Sequence, residues 1–145
     1  MGKIYYVMGK SASGKDTIYK RLVKKMPELG TVRMYTTRPI RDGETNGVEY
    51  IFTDEKQLQA MKDAGKVIEC RTYDTIYGPW SYFTADDGQI DLGSCSYLMM
   101  GTLESYEGLC KYYGAEVMVP LYIHVEDGVR LQRALNRENT QKNPK

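Results

Sequence analysis

The chain alternates between short, nearly continuous apolar runs and longer stretches in which apolar residues recur every three or four positions. Ile4 to Met8 (IYYVM) is a β-prone run that stops at Gly9. In KDTIYKRLVKKM, Ile18, Leu22, Val23 and Met26 fall at helical spacing, and Pro27 marks the end. The same reading predicts a strand over TVRMYT (Thr31 to Thr36), a short helix over DEKQLQAMKDAG with Asp54 as N-cap and Gly65 past its end, and a strand at KVIEC. Asp86 to Gly88 (DDG) reads as a turn between two β-prone runs, which makes WSYFTADDGQIDLG a hairpin. Ser96 to Met100 (SYLMM) reads as a buried strand and TLESYEGLCKYYG as a helix. EVMVPLYIHV reads as a strand in which Pro120 requires an edge or end position, and DGVRLQRALNREN as the last helix. Strands alternating with helices predict an α/β chain, with no internal repeat and no low-complexity segment.

Composition narrows this picture. A chain of 145 residues suits one domain able to bury roughly two thirds of its unfolded surface. Lys and Arg total 20 against 19 Asp and Glu, so the net charge of +1 gives no basis for a nucleic acid or membrane partner, and any phosphate binding must be local. Cys70, Cys95 and Cys110 lack the close spacing of a disulfide scaffold or zinc site and suit a reducing compartment. The apolar run in MGKIYYVMGK is too short for a signal peptide or membrane span, and Tyr6 stands where a myristoylation signal has Ser or Thr. The expectation is a soluble cytoplasmic protein. The sole histidine, His124, reads as a packing or strand-end residue.

Chemistry enters at GKSASGKDT, Gly9 to Thr17. Gly9-x4-Gly14-Lys15 has the spacing of a phosphate-binding loop. Its glycines allow a tight turn whose N–H groups face phosphate oxygens, the helix that follows adds the positive end of its dipole, and Lys15 reaches the β- and γ-phosphates. The candidate phosphate ligands are thus Gly9, Ser11, Ala12, Ser13, Gly14, Lys15, Asp16 and Thr17. Asp16 stands where such loops carry the Ser or Thr that touches magnesium. It reads either as a magnesium contact, with Thr17 beside it, or as a helix N-terminal carboxylate favoured by the dipole. Farther on, TTRPIRDGETNGVEYIF (Thr36 to Phe52) gathers arginines, glutamate and tyrosine around glycines. Arg38 and Arg41 either converge on one phosphate or belong to a solvated charged loop.

Together, GKSASGKDT, TTRPIRDGETNGVEY and VIECRTYDTIYG resemble the guanylate kinase family in order and spacing over nearly the whole chain. The resemblance implies a three-layer P-loop kinase core with a parallel sheet, residues 1–32 and 93–135. A small, mostly β GMP-binding domain, residues 33–92, is inserted in it, and an incomplete lid begins at 136–145. It implies transfer of the γ-phosphate of ATP to GMP, with Mg2+ as cofactor, ATP and GMP as partners, and closure that excludes water. Arg38, Arg41, Tyr50 and Tyr77 would hold the GMP phosphate, with Thr36 also among the GMP-binding residues. Glu69 would read guanine, its carboxylate accepting from N1–H and the 2-amino group. Lys15 would act in catalysis together with Arg133 and Arg137, which lie four apart at helical spacing; either arginine reads equally as a solvated helix residue.

The chain also departs from the family. It has no aspartate near SYLMMGT, Pro79 follows Gly78 where Ser or Thr is expected, and a guanine-contacting hydroxyl falls on Met34 or Tyr35. Near Trp80 to Leu92 a hairpin is expected where the family has a helix. After NRENTQKNPK the family continues with more lid, a last strand and a helix. The expectation is a C-terminally truncated form, weakly active or inactive, of a longer kinase. Two other readings stand beside this one: a sugar-phosphate kinase of the same fold, and a non-catalytic guanylate-kinase-like binding module.

Overall fold

The computed structural model describes residues 2–10, 13–48 and 50–140, the last three by backbone alone. Its centre is β1 (Ile4–Gly9), the apolar run before the glycine loop. β1 pairs in parallel with β7 (Tyr97–Met100) on one side and β8 (Met118–Ile123) on the other, and β2 (Gly30–Thr31) lies outside β7, giving the order β2-β7-β1-β8. Alternation along β1 separates the two faces of this sheet. Ile4, Tyr6 and Met8 pack with Val32, Met34, Met99 and Leu109 of α3 (Leu103–Tyr113). Tyr5 faces the other way, toward Leu22 of α1 (Lys15–Lys25), around a small apolar void of about 60 Å3. Helices on both faces of a parallel sheet make the three-layer core. Pro120 sits opposite Tyr6 on β8, an outer strand, where a residue lacking an N–H is tolerated.

A second sheet has the order β4-β3-β6-β5, formed by β3 (Tyr35–Thr36), β4 (Ile51–Phe52), β5 (Val67–Thr75) and β6 (Gly78–Ala85). α2 (Glu55–Asp63) packs on it through Leu58, which meets Phe83 and Ala85 in a small separate core. Asp54 caps α2 by accepting from the Gln57 N–H at 2.8 Å. The last helix, α4 (Asp127–Thr140), runs unbroken across residues 135 and 136.

Two expected elements are corrected. TVRMYT is not one strand: its ends join different sheets, and the middle carries the chain from one to the other. Val32 and Met34 are buried in the main core, while the Arg33 N–H donates to Gln89 and its guanidinium to the Gly47 carbonyl. The β-prone alternation is real, but burial demands differ at its two ends. Nor does DDG join two strands. The hairpin is formed by β5 and β6 and turns at Ile76 and Tyr77. After Ala85 the backbone bends with Gly88 at φ 92°, Asp87 accepts from the Tyr35 hydroxyl at 2.5 Å, and the Leu92 carbonyl accepts from Gly2 N–H. Those contacts return the chain to the core sheet without a second strand.

Candidate functional site

The glycine loop leaves the C-terminal end of β1, where the helix that follows can point its free N–H groups at an anion. Gly14 adopts φ 88°, a left-handed conformation that other residues resist, and α1 begins at the next residue. Gly9 is required by close approach instead, since a Cβ there would lie 2.7 Å from Ser13 Oγ and 2.8 Å from the Ile123 carbonyl. The Ser13 N–H donates to the Lys10 carbonyl at 3.1 Å, and its hydroxyl is buried without a hydrogen-bond partner. Ser11 and Ala12 lie outside the described residues. Lys15 is half-buried at the first position of α1, and Asp16 and Thr17 are exposed in the first turn. Arg133 of α4 reaches the loop, its guanidinium 3.6 Å from where a Gly14 Cβ would stand; Arg137 follows one turn on, half-buried.

The other candidate residues lie on or beside the second sheet, Arg38 just past β3 and Tyr50 just before β4. Arg38 is buried, 4% exposed, and its guanidinium forks onto Glu44 with two contacts of 2.8 Å. Its charge lies 5.3 Å from the ring centre of Tyr50 and 5.5 Å from that of Phe52. Arg41 contributes its backbone N–H, which donates to the same glutamate at 2.8 Å. The hydrogen bonds that Arg38 donates to Glu44 raise the Arg38 pKa despite burial and hold the Glu44 carboxyl below its usual range. Tyr50 is half-buried, and burial pushes its phenol up, against the nearby charges of Arg38 and Arg71.

Glu69 lies farther along β5, where α3 covers it closely. A Cβ added to Gly108 would stand 2.6 Å from that of Glu69. Its carboxylate accepts from the Thr84 hydroxyl at 2.8 Å and from Arg71 Nε at 3.0 Å. An open groove of about 480 Å3 runs beside Glu69 and Arg71, walled on the α3 side by Glu104, Glu107, Lys111 and Tyr112.

The expected site residues therefore divide. Arg38 and Tyr50 meet beside the second sheet, and Glu69 lies on β5 of that sheet against α3. Thr36 is wholly buried; its hydroxyl donates to the Ser81 carbonyl and accepts from the Arg38 N–H, so it shapes the backbone and is not presented to a ligand. Tyr77 is at the exposed hairpin turn, stacked on Trp80. Sequence reasoning assigned no role to Glu44, Arg71, Tyr82 or Thr84. For Arg71 a signal existed, since two residues along a strand from Glu69 is the same face. Thr84 and Tyr82 depend on the β5–β6 register, which pairs Glu69 with Thr84 and Arg71 with Tyr82.

A family model described as guanylate kinase matches residues 1–81. The guanylate kinase of Legionella pneumophila (strain Lens) is 37% identical over 78 residues, 53% of this chain and 37% of that protein. The guanylate kinase of Coxiella burnetii is 37% identical over 76 residues, 52% of this chain and 37% of its own length. The matched stretch thus spans little more than a third of these relatives. Among solved structures, guanylate kinase from Anaplasma phagocytophilum superimposes with a TM-score of 0.70 at 21% identity, covering 93% of this chain and 67% of that one.

Proposed function

The chain belongs to the guanylate kinase family, and from this we propose that the protein transfers the γ-phosphate of ATP to GMP, giving ADP and GDP. The observation that carries the reading is that the chain holds both halves of such a site: a glycine loop at the end of β1 that leads into α1, and an Arg38–Glu44 pair packed against Tyr50 beside the sheet that carries Glu69. The first would take the donor phosphates and the second the acceptor.

In this reading the loop N–H groups from Gly9 to Thr17 and the N-terminus of α1 hold the ATP phosphates, and Lys15 neutralises their charge. Arg133, beside Gly14, adds positive charge on the donor side, with Arg137 behind it. Arg38, Arg41 and Tyr50 hold the GMP phosphate, joined by Tyr77 if the hairpin turn folds inward. Arg38 is already charged and oriented by Glu44, so it meets the phosphate without first being ordered. Glu69 receives the base. The division of labour is a phosphate-loop unit, residues 1–32 and 93–135, a GMP unit, residues 33–92, inserted in it, and the start of a lid at 136–145.

Magnesium fits the donor set. Among the described residues no group of three His, Cys, Asp or Glu forms a cage, whereas Asp16 offers one exposed carboxylate beside the Thr17 hydroxyl at the mouth of the loop. One carboxylate, phosphate oxygens and waters are the usual company of this ion. When bound, magnesium would supply charge neutralisation between the β- and γ-phosphates. Among the described residues no helix is long and apolar enough to cross a membrane, and a cytoplasmic setting suits the free cysteines.

The test is ADP release from Mg-ATP with GMP, AMP, CMP, UMP or no acceptor, with Lys15→Ala as control. Turnover with GMP that Lys15→Ala abolishes is expected. Turnover indifferent to the acceptor, or saturable binding of neither ATP nor GMP, would remove the kinase reading.

A further inference from the structure

Arg71 stands two residues beyond Glu69 on the same face of β5, and the two side chains are only 12% and 5% exposed. A guanidinium has five N–H donors, and this one meets an uneven set of acceptors. Nε donates to Glu69 Oε2 at 3.0 Å and Nη1 to Thr102 Oγ1 at 3.2 Å. Nη2 reaches Glu69 Oε1 only at 3.4 Å and otherwise meets the Met34 sulfur at 3.6 Å. A thioether is a weak acceptor, so the outer edge of a buried cation is underused beside an open groove. Glu69 has matching capacity. A carboxylate offers about four acceptor positions, and Thr84 and Arg71 Nε fill two of them well.

An acceptor-rich carboxylate next to a donor-rich guanidinium suits a heterocycle whose two donors adjoin two acceptors. Guanine has that edge: N1–H and the 2-amino group donate, while O6 and N7 accept and pair bidentately with arginine. Adenine would turn its 6-amino donor toward the guanidinium donors. Met34 and Tyr35 are the two positions on which the expected hydroxyl for the base falls, and the Arg71 guanidinium lies against the Met34 sulfur. We propose that Arg71 is a specificity-determining residue of the acceptor site, reading O6 and N7 of guanine while Glu69 takes N1–H and the 2-amino group. This rests on the GMP reading above. Thr102, at the N-terminus of α3, holds the guanidinium in place through Nη1.

The experiment is calorimetric titration of the chain with GMP and with 7-deaza-GMP, in which a C–H replaces N7. Arg71→Met removes the donors; Arg71→Lys keeps a charge against Glu69 and serves if Arg71→Met does not fold. The wild type is expected to bind 7-deaza-GMP about tenfold more weakly than GMP, the scale of one charge-assisted hydrogen bond, and the variants to bring the two within about twofold while weakening both. GMP binding with no such gap in the wild type, or a gap that persists in the variants, overturns the assignment of Arg71 and leaves the kinase reading standing. Absence of saturable GMP binding to the wild type overturns the GMP reading, and the role of Arg71 with it.

Discussion

Replacing Glu44 with glutamine removes one charge and almost no volume from a forked, largely buried ion pair of the candidate site. The Glu44 carboxylate accepts twice from Arg38 and once from the Arg41 N–H, each at 2.8 Å, and Arg38 is 4% exposed against 16% for Glu44. A glutamine oxygen can serve some of these donors, but its NH2 group then faces another donor. Breaking a buried ion pair from one side costs about 3–5 kcal/mol, and the partial exposure of Glu44 favours the lower end. At about 3 °C per kcal/mol for a chain of this size, Glu44→Gln should lower Tm by roughly 10 °C. Arg38→Met should cost a similar amount, because it strands the carboxylate. The double variant Arg38→Met/Glu44→Gln should lose far less than the sum, since no uncompensated charge remains. The pH dependence has a definite sign. The native carboxyl is held below its ordinary value of 4.5, so its contribution is complete above that value and fades as pH falls through the lower native pKa. The wild type and Glu44→Gln should therefore differ constantly near neutrality and converge only in acid. Thermal melts of the four proteins across pH test this; additive losses in the double variant, or a Glu44→Gln shift below about 3 °C, would refute the reasoning.

Two substitutions probe the phosphate loop. Gly9→Ala places a Cβ 2.7 Å from Ser13 Oγ and 2.8 Å from the Ile123 carbonyl, so the loop must shift; ATP affinity measured by titration should fall at least about tenfold, the effect of losing one or more hydrogen bonds to a charged ligand. Unchanged ATP binding would show that the loop geometry is not what holds phosphate. Asp16→Ala should raise the Mg2+ concentration for half-maximal activity by about tenfold if the carboxylate contacts the ion directly or through water. An unchanged requirement would leave Asp16 only its helix-terminal role.

Much of the architecture was legible because its signals are local. The apolar run, the glycine spacing and the amphipathic stretch mark strand, loop and helix without reference to the rest of the chain. Asp54 announces the start of α2, and Pro120 marks an outer strand. What escaped depends on partners distant in sequence. TVRMYT has a uniform pattern, yet Thr31 pairs with Leu98 and Thr36 with Tyr82, so its division between two sheets follows from tertiary pairing. DDG has good turn chemistry, but contacts from Tyr35 and Gly2 decide where the chain goes after it. In the candidate site, Glu69 was visible through its motif, whereas the engagement of its carboxylate by Arg71 and Thr84 required the β5–β6 register. The commitment of Arg38 to Glu44 required the loop between them to fold back.

Gly108 has a mechanical consequence. Its missing side chain lets α3 lie directly on Glu69, and the seam continues from Thr102 to Arg71 and from Glu104 to Tyr73. A side chain at position 108 would therefore act beyond its own place: it would lift α3 off β5, and the Arg71–Thr102 and Tyr73–Glu104 contacts farther along the seam would open with it.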